Sequence, residues 1–234
     1  MRICVLDNDV LDPAVAATYT SYGEMFARLL RDAGADWSVD VFNTTQGQYP
    51  ASFDAYGAVL LTGSRADSFS QEAWVLELRQ RVEQLLQAKK KLVGVCFGHQ
   101  LIALCLGAKV GRAPQGWGTG RMRYQWHAPD LAQSQGRSEI ALLASHQDQV
   151  LELPHGATLL ASSAFCPVAA FAVGEHVFCV QGHPEFVEDY SAYLLNKRRE
   201  QLGEEHYAAS TNSLALGHDG LQMARMMVAF VENA

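Results

Sequence analysis

Short apolar runs and amphipathic stretches alternate along the first part of the chain. Residues 3–6, 58–61 and 92–95 are mostly apolar and of strand length, and residues 37–42 alternate apolar with polar. Between them, Tyr22, Met25, Phe26, Leu29, Leu30 and Ala33 recur at helical spacing, and Gly34 closes that stretch. Trp74, Leu78, Val82, Leu85 and Leu86 form a second stripe with charges on its opposite face. The spacing predicts the order β-α-β-β-α-β-α over about the first 110 residues. Apolar strands separated by helices predict a mainly parallel sheet covered on both faces. In such sheets ligands meet the carboxyl ends of the strands. Three loops fall there: residues 7–9, 62–65 and 96–100.

The pattern then changes. Residues 111–120 are rich in Gly and Pro and predict a loop. Short strands are predicted at 122–126, 139–143, 158–162, 168–173 and 177–180, spaced as in antiparallel hairpins. Val173-Gly174-Glu175-His176 reads as a hairpin turn, and residues 128–137 as an exposed connection. Helices are predicted over about 186–201 and over 221–231, where Met223, Met226 and Met227 read as core fillers. No repeat, low-complexity segment or linker interrupts the chain. The expectation is a single α/β domain over residues 1–234, with a central mainly parallel sheet, flanking helices and a small antiparallel hairpin region.

Length and charge narrow the function. A chain of 234 residues can bury a sizeable core. Its net charge of −7, with no basic run beyond Lys89-Lys90-Lys91, speaks against nucleic acid or an anionic membrane as partner. Five cysteines, an odd number with no Cys-x-x-Cys pair, fit a reducing, cytoplasmic setting better than a disulfide framework or a zinc knuckle. The first residues read as a strand rather than a signal peptide, and no apolar run approaches membrane-spanning length. His127, His155, His176, His206 and His218 lack partners at metal-ligand spacing, so neither a metal nor another cofactor is expected.

Two stretches carry chemistry. In Gly94-Val95-Cys96-Phe97-Gly98-His99-Gln100, a buried strand passes into an apolar-periodic helix with Cys96 at the junction. Glycines two residues to either side match a Gly-x-Ser-x-Gly nucleophile elbow with sulfur in place of oxygen. Such a turn crowds any Cβ beside it and sets the side chain at a helix N-terminus, where the dipole favours an anion. A cysteine after a core strand is otherwise commonly inert packing; the two glycines and the polar His99-Gln100 favour the nucleophile reading. Cys4, Cys105, Cys166 and Cys179 read as small core residues. The second stretch is His183-Pro184-Glu185. Pro184 keeps His183 extended, so the imidazole and the Glu185 carboxylate point to one side. A carboxylate there can fix the tautomer and stabilise the imidazolium; the same residues could instead be turn residues that start a helix. Together the stretches form a candidate Cys96-His183-Glu185 triad.

With these residues in place, the sequence resembles the class I glutamine amidotransferases, which carry a Gly-x-Cys-x-Gly-x-Gln elbow and a late His-Pro-Glu. The resemblance spans essentially the whole chain and implies the flavodoxin-like fold of that family. Ser145-His146-Gln147-Asp148-Gln149-Val150 looks like stand-alone members, some similar to the amidotransferase part of GMP synthase and others γ-glutamyl peptidases. The resemblance implies that Cys96 attacks the glutamine carboxamide, His183 shuttles the proton, Glu185 orients His183, and a γ-glutamyl thioester is hydrolysed. It places the oxyanion on the backbone N–H groups of Gly63 and Phe97. It assigns substrate binding to Gln100, Ser145, Gln147 and Asp148. Relatives often carry Gly-Gly-Pro where Thr62-Gly63-Ser64-Arg65 stands here, so Arg65 is placed to bias what binds. Trp117 reads equally as a lid aromatic or a packed loop residue. His99 reads as a structural hydrogen-bonding residue, and His146 has no assigned role. The leading expectation is glutamine hydrolysis that delivers ammonia to a separate synthetase or acceptor subunit. The alternatives are a γ-glutamyl peptidase acting on another small γ-glutamyl compound, and a non-enzymatic subunit on the same fold.

Overall fold

Residues 3–6 show how the sheet is built. In the computed structural model, which describes residues 1–233, β1 (Arg2–Asp7) sends Ile3 and Val5 into one hydrophobic cluster and Cys4 and Leu6 into another. The side-chain period of two therefore serves two cores, one on each face. Pro13–Tyr19 (α1) and Tyr22–Asp32 (α2) follow, then β2 (Ser38–Asn43), a 3-10 turn at Thr44–Gln46, and β3 (Ala58–Leu61). Next come α3 (Ala73–Gln87), β4 (Lys91–Val95) and α4 (Phe97–Cys105). Phe26 and Leu30 of α2 pack on one face; Leu78, Val82 and Leu85 of α3 pack with Leu101 of α4 on the other. The amphipathic stripes read from the sequence are these buried faces.

The second half adds β5 (Val110–Arg112), β6 (Gly118–Trp126), β7 (Glu139–His146), β8 (Asp148–Val150), β9 (Thr158–Ser162), β10 (Ala170–Val173) and β11 (Val177–Val180). It closes with α5 (Glu188–Lys197), α6 (Arg199–Leu202), α7 (Glu204–Leu214) and α8 (Gly220–Glu232). Nine strands form one sheet in the order β2-β1-β3-β4-β11-β10-β9-β6-β7, and β5 and β8 form a small antiparallel pair. From β2 to β11 every neighbour is parallel; from β11 to β7 every neighbour is antiparallel. The hairpin region is thus a continuation of the parallel sheet, and β11 is the seam. No described helix is long and apolar enough to cross a membrane.

Several local expectations shift. The loop predicted over 111–120 is shorter, because β5 and β6 claim its ends. β7 runs to His146, three residues past the predicted end at 143. The helix predicted over 186–201 starts at Glu188 and breaks at Arg198, which caps α5 and opens α6. Two helices have no counterpart in the apolar pattern: α1 buries no residue, and α7 buries only Ser210 and Leu214.

Candidate active site

The elbow is strained and tightly packed. Cys96 adopts φ 52° and ψ −103°, a left-handed conformation that costs a non-glycine residue about 1–3 kcal/mol. Its N–H donates to the Val180 carbonyl at 2.9 Å, and its carbonyl accepts from Gln100 N–H at 3.0 Å. A Cβ on Gly94 would meet the Gly98 carbonyl oxygen at 2.8 Å; one on Gly98 would meet the Leu61 carbonyl oxygen at 2.5 Å. Both obstacles are backbone, so neither yields cheaply. Gly98→Ala is expected to lower the unfolding free energy by about 1–3 kcal/mol, read as a drop in urea midpoint at unchanged m-value. The other four cysteines are unlike Cys96. Burial pushes the thiols of Cys4, Cys105 and Cys166 up to about 12 and that of Cys179 higher still, as expected of inert packing.

His183 follows β11, and its N–H donates to the Leu143 carbonyl at 2.8 Å, which bridges it to β7. Its Nδ1 lies 2.7 Å from Glu185 Oε1, and its ring stacks on Phe186 at 3.8 Å between centroids. Phe186 is itself wedged against Tyr190 and Tyr22. Both His183 and Glu185 are buried. Burial disfavours the imidazolium, but the charges of Glu185 and of a Cys96 thiolate outweigh it, and the His183 pKa is raised. Glu185 thus fixes the Nδ1 edge of the ring.

Gly63 closes the opposite side. A Cβ there would lie 2.7 Å from His183 Cε1 and 3.6 Å from Cys96 Cβ, so only glycine fits. Neither Gly63 N–H nor Phe97 N–H has a protein acceptor among the described residues. The loop before Gly63 is fixed from behind. The Asn8 amide donates to the Thr62 carbonyl at 3.0 Å, and Asn8 N–H donates to Thr62 Oγ1 at 2.9 Å. Arg65 joins the same two loops: its N–H donates to Asp9 Oδ2 at 2.8 Å and its guanidinium reaches Asp9 Oδ1 at 3.1 Å.

The 145–148 stretch ends β7 and enters β8. The structure brings Ser145, His146, Gln147, Asp148 and Gln100 to the cleft over Cys96. Much of their hydrogen bonding is internal. Gln100 Nε2 donates to the Asp148 carbonyl at 2.8 Å and to Gln181 Oε1 at 3.1 Å; the Gln147 carbonyl accepts from Ala113 N–H at 2.8 Å. Gln100 therefore braces the cleft wall, while Ser145 Oγ and His146 Nε2 are buried there without a partner. Asp148 pairs with Arg112 at 2.8 Å; burial nonetheless raises its pKa to about 6. Arg112 and Arg198 also line the cleft, and neither was singled out from sequence. Isolated arginines on helices or strands look like solvated surface until the chain is folded. Trp117 lines the cleft with the Arg198 guanidinium 4.9 Å above its ring.

His99 and His146 are buried and uncharged. Burial holds their pKa values down, to about 3 and about 4. Unfolding lets each regain an ordinary value of about 6.5. The unfolded chain therefore binds more protons below that pH, and stability falls with acid. Between pH 6 and 5, His99→Gln is expected to lose stability less steeply than the unsubstituted chain, by about 1.4 kcal/mol per pH unit. Equal slopes in urea titrations would contradict a neutral His99.

The sequence profile of the family described as "Glutamine amidotransferase class-I" matches residues 14–197. Gamma-glutamyl peptidase 3 of Arabidopsis thaliana is 35% identical over 85% of this chain and 83% of its own length. The glutamine-hydrolyzing GMP synthase of Caldicellulosiruptor saccharolyticus is 30% identical over 71% of this chain but 31% of its own length. A glutamine amidotransferase crystal structure from Thermotoga maritima superposes with a TM-score of 0.79 at 19% identity, covering 100% of this chain and 99% of that one. That likeness is one of fold.

Proposed function

The chain belongs to the class-I glutamine amidotransferase family and is an enzyme of hydrolase or amidotransferase type, and on that premise we propose that it hydrolyses γ-glutamyl amide bonds in γ-glutamyl peptides. The observation that carries the chemistry is the meeting of Cys96, His183 and Gly63 at the elbow, with Glu185 bonded to His183 at 2.7 Å. The Cys96 thiolate adds to the γ-carbonyl carbon, and the oxyanion is received by the Gly63 and Phe97 N–H groups. His183 Nε2–H then protonates the departing nitrogen, the C–N bond breaks, and a γ-glutamyl thioester remains on Cys96. Water, giving its proton to the now neutral His183, attacks the thioester. The C–S bond breaks and glutamate leaves, restoring thiolate and imidazolium. Glu185 holds the imidazole in register throughout.

The choice of peptide over free glutamine is supported by similarity over 83% of the length of a γ-glutamyl peptidase, against 31% of the length of a GMP synthase. Amine release from γ-glutamyl dipeptides is expected to exceed ammonia release from glutamine in kcat/KM. The reverse order would favour the second reading, in which the same triad supplies ammonia to a separate synthetase; the GMP synthase similarity speaks for that one.

A further inference from the structure

Arg65 and Arg198 line the Cys96 cleft and also an adjoining cavity. The two spaces therefore share a wall at these arginines. Tyr22, Tyr190 and Tyr193 line the second cavity, giving it aromatic surface. Its charges do not balance. Three cations (Arg65, Lys197 and Arg198) face two carboxylates, Asp9 and Asp12. Arg65 is committed to Asp9 at 3.1 Å and Lys197 to Asp12 at 2.5 Å. Arg198 is left over. Among the described residues its guanidinium makes one hydrogen bond, a long one of 3.4 Å to the Leu194 carbonyl of its own helix, and lies over Trp117. Among the described residues no carboxylate reaches it within salt-bridge distance. The third arginine of the cleft, Arg112, is held by Asp67 and Asp148.

In a chain of net charge −7, one unpaired, half-buried guanidinium beside the nucleophile marks a place for an anion. A guanidinium held over an indole, with no carboxylate partner, keeps N–H donors available to a carboxylate. Partial burial strengthens such a contact over its value in water. The α5–α6 break at Arg198 brings the residue to this wall.

We infer that Arg198 is a specificity residue that binds the free carboxylate of the leaving group, so that the preferred substrates are γ-glutamyl amino acids or peptides with an unblocked C-terminus. This rests on the γ-glutamyl reading above. The glutamyl part occupies the cleft over Cys96, and the leaving amino acid or peptide extends past Arg65 and Arg198 into the tyrosine-lined cavity. Free glutamine, whose leaving group is ammonia, gains nothing from Arg198.

The test compares kcat/KM for γ-glutamyl dipeptides and tripeptides with free C-terminal carboxylates against the same peptides as C-terminal amides. The two lengths report whether the carboxylate of the first or the second leaving residue is read. For the unsubstituted enzyme a preference for the free acid of about 10–100-fold is expected, the range of one charge-assisted contact. In Arg198→Met that ratio is expected to collapse to within about threefold. Arg198→Gln, which keeps a polar side chain, repeats the measurement if the methionine variant does not fold. An enzyme that cleaves acids and amides alike, or whose ratio is unmoved by either substitution, overturns the role of Arg198 and leaves the γ-glutamyl reading standing. An enzyme that releases ammonia from glutamine but cleaves neither class of peptide overturns both.

Discussion

Cys96→Ala is expected to abolish hydrolysis, a fall on the order of 10⁴–10⁶-fold in kcat, while the protein folds as before. No other residue can take over the sulfur's part. The remaining thiols are core groups that burial keeps protonated, Cys4, Cys105 and Cys166 with pKa values pushed up to about 12. The elbow does not depend on the sulfur for its shape. It is fixed by the Val180 and Gln100 backbone hydrogen bonds and by the two glycines, and alanine accepts the same φ at the same cost as cysteine. Residual turnover then measures what Gly63, Phe97 and bound water contribute without a nucleophile. Amine release from γ-glutamyl peptides and ammonia release from glutamine are both to be measured, with thermal unfolding as the control. Retained turnover on either substrate would remove the thioester mechanism.

Gly63→Ala is expected to cost about 10²–10³-fold in kcat, for a reason that lies in what cannot move. The new methyl would stand 2.7 Å from His183 Cε1. His183 is pinned on its far side by Phe186, at its edge by Glu185, and through its backbone by Leu143. The loop is pinned by Asn8 through Thr62. Either the imidazole is driven from the sulfur or the Gly63 N–H is turned from the oxyanion position. Both outcomes lower kcat more than they raise KM. The measurement is a steady-state kcat and KM comparison; a variant with raised KM and unaltered kcat would place Gly63 in ground-state binding instead.

The parts of this molecule legible from sequence are those where one pattern serves one purpose. Residues 92–100 read as strand, elbow and helix because Gly94 and Gly98 are needed by the backbone contacts they make. His183 and Glu185 could be placed together because extended chain puts alternate residues on one side, and their 2.7 Å contact follows. What escaped reading lacks such a pattern. α1 buries no residue and α7 buries only Ser210 and Leu214, so neither leaves an apolar period to detect. The helix break at Arg198 has no Pro or Gly to announce it until Gly203. Arg112 and Arg198 join the cleft only through long-range packing. The antiparallel hairpins are legible as hairpins, but short strands state their neighbours and not which sheet they join. Gln100 lines the cleft, and the bonds of its amide nitrogen to Asp148 and Gln181 depend on packing between distant segments that no local pattern announces.

The position of β11 has a consequence for how the protein comes to life. It is the last strand in sequence but the middle strand of the sheet, seated between β4 and β10. During synthesis from the N-terminus, the parallel block is complete in sequence well before residues 177–180, which form a local hairpin with β10 and join the two blocks only by docking on β4. Docking at the seam requires long-range pairing, the slow kind of step in sheet assembly. The same docking supplies the Val180 carbonyl that receives Cys96 N–H and delivers His183 to the sulfur. On the mechanism proposed above, a nascent or truncated chain therefore carries the thiol without its base, and the event that completes the sheet brings the two together.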